Sequence, residues 1–271
     1  MATVLVHCPR CGSIDAESVE PVGIEFDRMR CQTCGHSEIC DEEQIKDRWN
    51  ESVDDAVVRP GLTHRLPSAR FFELWWALGA SGPPLPALAR LRALYGESHR
   101  TYHAESHIGA CLAHLDAPEV KALATHPLEV EAAVWYHDAI YDPRAGDNEE
   151  ASARLVEETL RAAGVASERI GRIVALVLAT KDHAAETPDA QLLVDVDLSI
   201  LGETPEVFAR FEAAIRSEYA WVPAEAYATG RAGVLGRFLD RPQIYRTAPF
   251  RDRYEARARA NLAGAISALR R

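Results

Sequence analysis

From Ser68 to the C-terminus the chain repeats one pattern, apolar residues returning every three to four positions, and this restricts the fold more than anything else in the 271 residues. The segments FFELWWALGA, LPALARLRALYG, HRTYHAESHIGACLAHL, PLEVEAAVWYHDAIYD, NEEASARLVEETLRAAG, ERIGRIVALVLATKDH, PEVFARFEAAIRSEY and ARARANLAGAISALRR each gather their apolar side chains on one helical face. Gly, Pro, Asn and Asp fall between them, where helices stop and restart. This part contains no strand-like alternation and no glycine-rich nucleotide loop. An all-α domain is therefore expected over residues 67–271. The apolar share of 47% is enough for one large core. No run of about 18 apolar residues predicts a membrane span, so no membrane partner is expected. The start, MATVLVHCPRCG, turns polar too soon for a secretory signal, which points to the cytoplasm.

Residues 1–52 read differently. Cys8-Pro-Arg-Cys11-Gly12 and Cys31-Gln-Thr-Cys34-Gly35 place four of the six cysteines in two CxxC pairs. Without a signal peptide this spacing indicates metal binding rather than disulfides. Four thiolates complete a tetrahedral zinc and leave no open position. Cys8, Cys11, Cys31 and Cys34 are thus expected to hold a structural ion that helps so small a segment fold. Cys40 and His36 are bystanders in this reading. The intervening SVEPVGIEFDRMRC alternates as a short β-hairpin does, and EEQIKDRWN reads as a short helix. The segment resembles the small zinc ribbon of the phage restriction-alleviation family, which carries CPxCG, then CxxCG, then a helix ending in WN. That resemblance implies a phage or prophage origin, with the host cytoplasm as location, and no reaction. Residues 53–66 (VDDAVVRPGLTHRL) hold Pro60-Gly61 and no periodicity, and are the expected linker.

Within the helical part, polar residues interrupt apolar runs in three places. In AVWYHDAIYD, helical counting from Val130 puts His137 and Asp138 on the stripe of Ala133, Val134 and Tyr141. An unpaired buried carboxylate costs several kcal/mol, so a cation, lysine or arginine must lie close. Upstream, His103, His107 and His114 line one side of a helix whose apolar stripe is Ile108, Cys111, Leu112 and Leu115. Downstream, Asp182-His183 ends an apolar helix, and LLVDVDLSILG places Asp195 and Asp197 about 200° apart on one helix. The two then point away from a shared ion, and the spacing of Leu193, Ile200 and Leu201 favours Asp197.

Histidine, then His-Asp, then Asp, distributed over helices, resembles the HD superfamily of metal-dependent hydrolases. YGESHRTYHAESHI, WYHDAIYDPRAGDNEEASA, ATKDH, LLVDVDLSILG and IRSEYAWVPAEAYATGR resemble one branch of it, predicted metal-dependent phosphohydrolases, over about residues 66–271. The resemblance implies an all-α HD-domain fold behind the small β-hairpin zinc ribbon. It implies His107, His137, Asp138 and Asp195 or Asp197 as ligands of a divalent metal. Two imidazoles and two carboxylates with open positions suit Mn, Mg, Fe, Co or Ni. His183 is a candidate ligand for a second metal. The implied reaction is hydrolysis of a phosphate ester, with a metal-activated water attacking phosphorus and Asp138 in the centre. Glu149 is the candidate general base, and Lys181, Arg100, Arg216 and Arg231 are candidates for gripping phosphate. Tyr102 and Tyr219 are candidates for stacking on a base, with His103 beside them.

The implied partner is a small phosphorylated compound, a nucleotide first. The net charge of −11 argues against broad wrapping of nucleic acid, although the ribbon's Arg10, Arg28, Arg30 and Lys46 leave a nucleic-acid or protein contact open there. Two other functions fit parts of the pattern. One is a diiron oxygenase on the same fold, using His183. The other is a non-catalytic binding module that acts through the ribbon.

Overall fold

Pro127 sits at the first helical position, where its missing N–H would have had no partner anyway, and starts the helix around which the second half of the chain is arranged. The computed structural model describes residues 68–271 and, ahead of them, three strands. The strands are β1 (Ala16–Pro21), β2 (Phe26–Cys31) and β3 (Ser37–Asp41). The helices are α1 (Ser68–Ala77), α2 (Leu85–Tyr95), α3 (Glu105–Leu115), α4 (Pro118–Lys121), α5 (Pro127–Tyr136), α6 (Asn148–Ala162), α7 (Ser167–Ala179) and α8 (Pro188–Asp197). A 3-10 turn, Leu198–Gly202, follows α8 and leads to α9 (Pro205–Glu218), α10 (Ala224–Leu239) and α11 (Ala248–Leu269). From Ser68 onward every element is helical, as the periodicity predicts, and no helix there is long and apolar enough to cross a membrane.

The chain divides into two compact units, Met1–Arg92 and Ala93–Arg271. In the first, β1, β2 and β3 pair antiparallel in sequence order, with Ala16 opposite Cys31 and Phe26 opposite Asp41. α1 buries Phe71, Phe72, Leu74 and Trp75, and Trp75 Nε1 donates to the Gly82 carbonyl at 3.1 Å, closing the turn after the helix. Cys8, Cys11 and Cys34, the short helix expected at 42–50 and the linker at 53–66 lie outside the described residues. Of Cys31 only the backbone, at the end of β2, is described.

In the second unit α5 lies at the centre, packed on α3, α6, α7 and α8. It buries Glu129, Val130, Ala132, Ala133, Val134, Trp135 and Tyr136, with only Pro127 exposed and Leu128 and Glu131 half-buried, as befits a core helix. Its one buried charge, Glu129, accepts from Arg172 at 2.8 Å and pairs with Arg169 at 3.7 Å, both on α7. α5 ends sooner than its pattern suggests. Tyr136 is its last residue and His137 caps it, donating its N–H to Ala133 at 2.9 Å. His137 and Asp138 therefore stand in the turn after the helix rather than on its stripe.

Two further devices fix the far side of the site. Thr187 and Thr204 each precede a proline and accept an N–H from the first turn of α8 and α9, as N-caps do. α11 then clamps the 3-10 turn. Tyr245, just before it, donates to the Leu198 carbonyl at 2.9 Å, Asn261 to Leu201 at 2.9 Å and Arg257 to Gly202 at 2.8 Å. The approach is so close that a Cβ on Gly202 would lie 2.4 Å from Tyr254 Cβ and 2.8 Å from its carbonyl oxygen. Part of that obstruction is backbone, which has no rotamer to escape into. Gly202→Ala is expected to destabilise the protein by about 3 kcal/mol, read as a lower urea midpoint, and an unchanged midpoint would contradict this packing.

Candidate metal centre

The turn after α5 carries the two residues that most need explaining, and Arg100 holds that turn in place. Its side chain is fully buried and donates to the carbonyls of Asp138 at 2.6 Å, Ala139 at 2.8 Å and His103 at 3.0 Å, with Nε on Glu97 at 3.0 Å. On the other flank Ser152 Oγ accepts the Ile140 N–H at 2.9 Å, and Asn148 bonds both backbone groups of Asp142 at 2.9 Å. The DNEEASA stretch thus ties the start of α6 to the turn. Its N-cap residue, Asp147, makes no capping bond with its side chain.

Held this way, His137 Nε2 lies 3.2 Å from His107 Nε2 of α3. Asp138 Oδ2 lies 3.4 Å from His107 Nε2 and 3.2 Å from His137 Nε2. Asp197 Oδ1, from the end of α8, lies 3.2 Å and 3.7 Å from the same two nitrogens. The His137 Nδ1–H donates to the Val134 carbonyl at 3.0 Å, so the lone pair of its Nε2 faces the cluster. Two imidazole nitrogens cannot face one another at this distance, with two carboxylate oxygens beside them, without a cation or protons between. Donors held about 2.1 Å from one ion stand about 3.0–3.5 Å from their neighbours, and all the spacings here but the 3.7 Å between His137 and Asp197 fall in that range. His107, His137 and Asp138 form one metal-capable group, and His107, Cys111 and Asp197 form another that shares His107. The imidazoles are buried, but the side chains of Asp138 and Asp197 keep 19% and 15% of their surface exposed, so solvent reaches the carboxylate side.

The protonation balance shows the same demand for positive charge beside the two carboxylates. Burial disfavours charge on His137, yet the Asp138 and Asp197 carboxylates outweigh it and raise its pKa. Burial likewise opposes ionised Asp138 and Asp197, and the imidazoles beside them hold both well below the usual carboxylate range. Each group favours its charged form only because an opposite charge is at hand.

The other expected residues fall into two sets. His183 reaches the cluster through Asp197, its Nε2 lying 3.1 Å from Oδ2 while Oδ1 faces the histidine pair. Its backbone is left-handed, at φ 49°, and Arg241 holds its carbonyl at 3.3 Å. His103 and Tyr102 border the cluster, with ring centroids 6.2 Å and 4.7 Å from that of His107.

The second set is engaged elsewhere. Asp195 is turned away: its carboxylate accepts from the backbone of Arg246 at 2.8 Å and of Thr247 at 2.6 Å, and from the Thr247 hydroxyl at 2.7 Å. It secures the start of α11, and the half-turn between it and Asp197 explains why one chain segment serves both ends. Arg100 is no phosphate grip, because its buried guanidinium already bonds three carbonyls and Glu97. Arg216 donates to the Tyr219 and Val222 carbonyls at 2.6 Å and 3.1 Å, bracing the turn after α9. Arg231 pairs with Glu212, and Lys181 with Glu150 and the Gly146 carbonyl. Tyr219 packs on Trp221, at 6.4 Å between ring centroids. Glu149 sits half-exposed in the first turn of α6, and among the described residues no hydrogen bond or ion pair joins it to the cluster.

One residue of the site escaped the sequence reading. Glu218, the last residue of α9, is buried and accepts five hydrogen bonds, three of them from the backbone of residues 101–103. Those donors and His103 overcome its burial and hold its carboxyl down at about 2. The signal was present: Glu218 follows Ile215 by three positions and Phe211 by seven, on the apolar stripe of its helix.

No family model matches the chain, and no curated protein and no solved structure matches it significantly.

Proposed function

We propose that the chain is a metal-dependent phosphohydrolase of the HD superfamily that opens a phosphate ester of a nucleotide or another small phosphorylated metabolite. The observation that carries this reading is the convergence of His107, His137, Asp138 and Asp197, four donor atoms spaced as ligands of one ion are. The reaction class comes from the resemblance of the surrounding stretches to that superfamily. When bound, a divalent ion with open positions lowers the pKa of a coordinated water and neutralises charge growing on phosphoryl oxygens. The protein's own part is placement. Arg100 fixes the Asp138 turn, the Val134 carbonyl orients His137, and His183 with the α11 clamp fixes Asp197. Cys8, Cys11, Cys31 and Cys34 are proposed to hold a structural zinc in the N-terminal segment, apart from this chemistry.

The test is phosphate release from a panel of nucleotides and sugar phosphates, with Mn²⁺, Mg²⁺, Co²⁺ or Ni²⁺ added in turn and the Asp138→Ala protein alongside. Metal-dependent release that disappears in the variant is the expected result. Silence across the panel, with iron in the purified protein and oxygen consumed, would replace the hydrolase by an oxygenase.

A further inference from the structure

We infer that His103 gives the proton to the leaving group in the reaction proposed above, on which this inference rests, and that the buried carboxylate of Glu218 holds it in position for the task. Oε1 of Glu218 accepts the N–H groups of Thr101 and Tyr102, both at 2.7 Å, and of His103 at 3.0 Å. That fixes the backbone leading into α3. Oε2 accepts from His103 Nδ1 at 2.7 Å and from the Tyr141 hydroxyl at 2.9 Å. The His103 ring also lies against Tyr141, 4.1 Å between centroids, and meets the ring of Tyr102 edge-on at 5.0 Å. An imidazole gripped at Nδ1 and packed on two rings has neither rotation nor tautomer left to choose.

What remains is Nε2. Among the described residues it has no hydrogen-bond partner, and the side chain keeps 21% of its surface exposed. A histidine whose Nδ1–H is held by a carboxylate presents Nε2 for proton transfer. The place is suitable. His103 stands one helical turn before His107, with 6.2 Å between ring centroids. A cleft of about 490 Å³, lined by His99, Arg144 and Trp221 among others, shares Tyr141 and Glu218 with the pair. The His103 ring stacks on Tyr141, one of the residues that line this cleft.

In the step, the oxygen of the attacking water forms a bond to phosphorus as the bond from phosphorus to the leaving oxygen breaks. The electron pair of the broken bond stays on the leaving oxygen, which takes the proton from His103 Nε2. The water gives up one proton to solvent, and His103 recovers one from solvent before the next turnover. His103 is a catalytic residue in this account, and Glu218 a positioning residue.

A proton donor matters for a leaving group that is a poor anion and little for one that is already stable. The test compares a nucleoside 5′-monophosphate, which leaves as an alkoxide, with 4-nitrophenyl phosphate, in the full-length protein with Mn²⁺. His103→Asn is the variant, because its amide nitrogen still reaches Glu218 while nothing replaces Nε2. Its kcat/KM on the nucleotide is expected to fall at least about 100-fold, and on 4-nitrophenyl phosphate less than about 5-fold. Its affinity for Mn²⁺, measured without substrate, is expected to stay unchanged. Glu218→Gln should show the same preference with a smaller loss. Equal losses on both substrates, or weaker Mn²⁺ binding in His103→Asn, would overturn the assignment while the hydrolase stands. If the unaltered protein releases phosphate from no compound of the nucleotide and sugar-phosphate panel with any metal, the hydrolase reading fails and takes this assignment with it.

Discussion

Asp197→Ala is expected to lose at least about a thousandfold in metal-dependent activity, while Asp195→Ala loses stability instead. The two residues are neighbours but one, yet their carboxylates face different elements. Asp197 Oδ1 stands 3.2 Å from His107 Nε2, and removing it leaves a paired set of imidazoles with one carboxylate. Such a centre binds a divalent ion far more weakly and places it wrongly. Asp195 is fully buried on the other side and takes the first donors of α11. Burial pushes its carboxyl up despite those donors. Its loss should cost about 2–3 kcal/mol, as the loss of a buried cap does, and leave Mn²⁺ affinity unchanged in the folded fraction. Activity assays and urea denaturation on both variants decide the matter. A catalytic defect in Asp195→Ala, with stability intact and Mn²⁺ affinity lost, would exchange the two roles.

The second large effect belongs to Arg100. As a phosphate grip it would raise KM when removed and leave the fold alone. In the structure its buried guanidinium satisfies three carbonyls, two of them in the turn that presents Asp138. Arg100→Ala leaves those acceptors with no donor in a site water does not easily reach. The expected cost is on the order of 4 kcal/mol, or about 10 °C in the melting temperature of a chain this long. Arg100→Lys should recover only part of it, since one ammonium cannot match the planar fork. A variant with unchanged melting temperature and a raised KM would return Arg100 to the substrate.

Most of the fold was legible because most helices have one apolar face. The exceptions have physical causes. α10 carries Gly230, Gly233 and Gly236 and buries only Ala232 and Leu235, so its periodicity is faint. α5 is buried over most of its surface, and its apolar run from Ala132 to Tyr136 hides the point at which the helix gives way to the His-Asp turn. The cluster residues were legible for a different reason: a carboxylate or imidazole in an apolar run must have a partner, and three such runs invite a shared one. The same rule applied to α9 would have found Glu218. Basic residues were read least well. A sequence shows that Arg100, Arg216 and Arg231 carry charge, but not that each already bonds carbonyls or a carboxylate nearby.

One cation held by His107, His137, Asp138 and Asp197 is the premise of the proposed chemistry. The most direct measurement is a titration of the metal-stripped, full-length protein with Mn²⁺, following the free ion by electron paramagnetic resonance. Mn²⁺ is a hard ion that thiolate ligands do not favour, so cysteines elsewhere in the chain contribute little to the reading. One tight site per chain is expected in the unaltered protein and none in His137→Ala. Equal binding in both proteins, or no tight Mn²⁺ site in the unaltered protein, would contradict it.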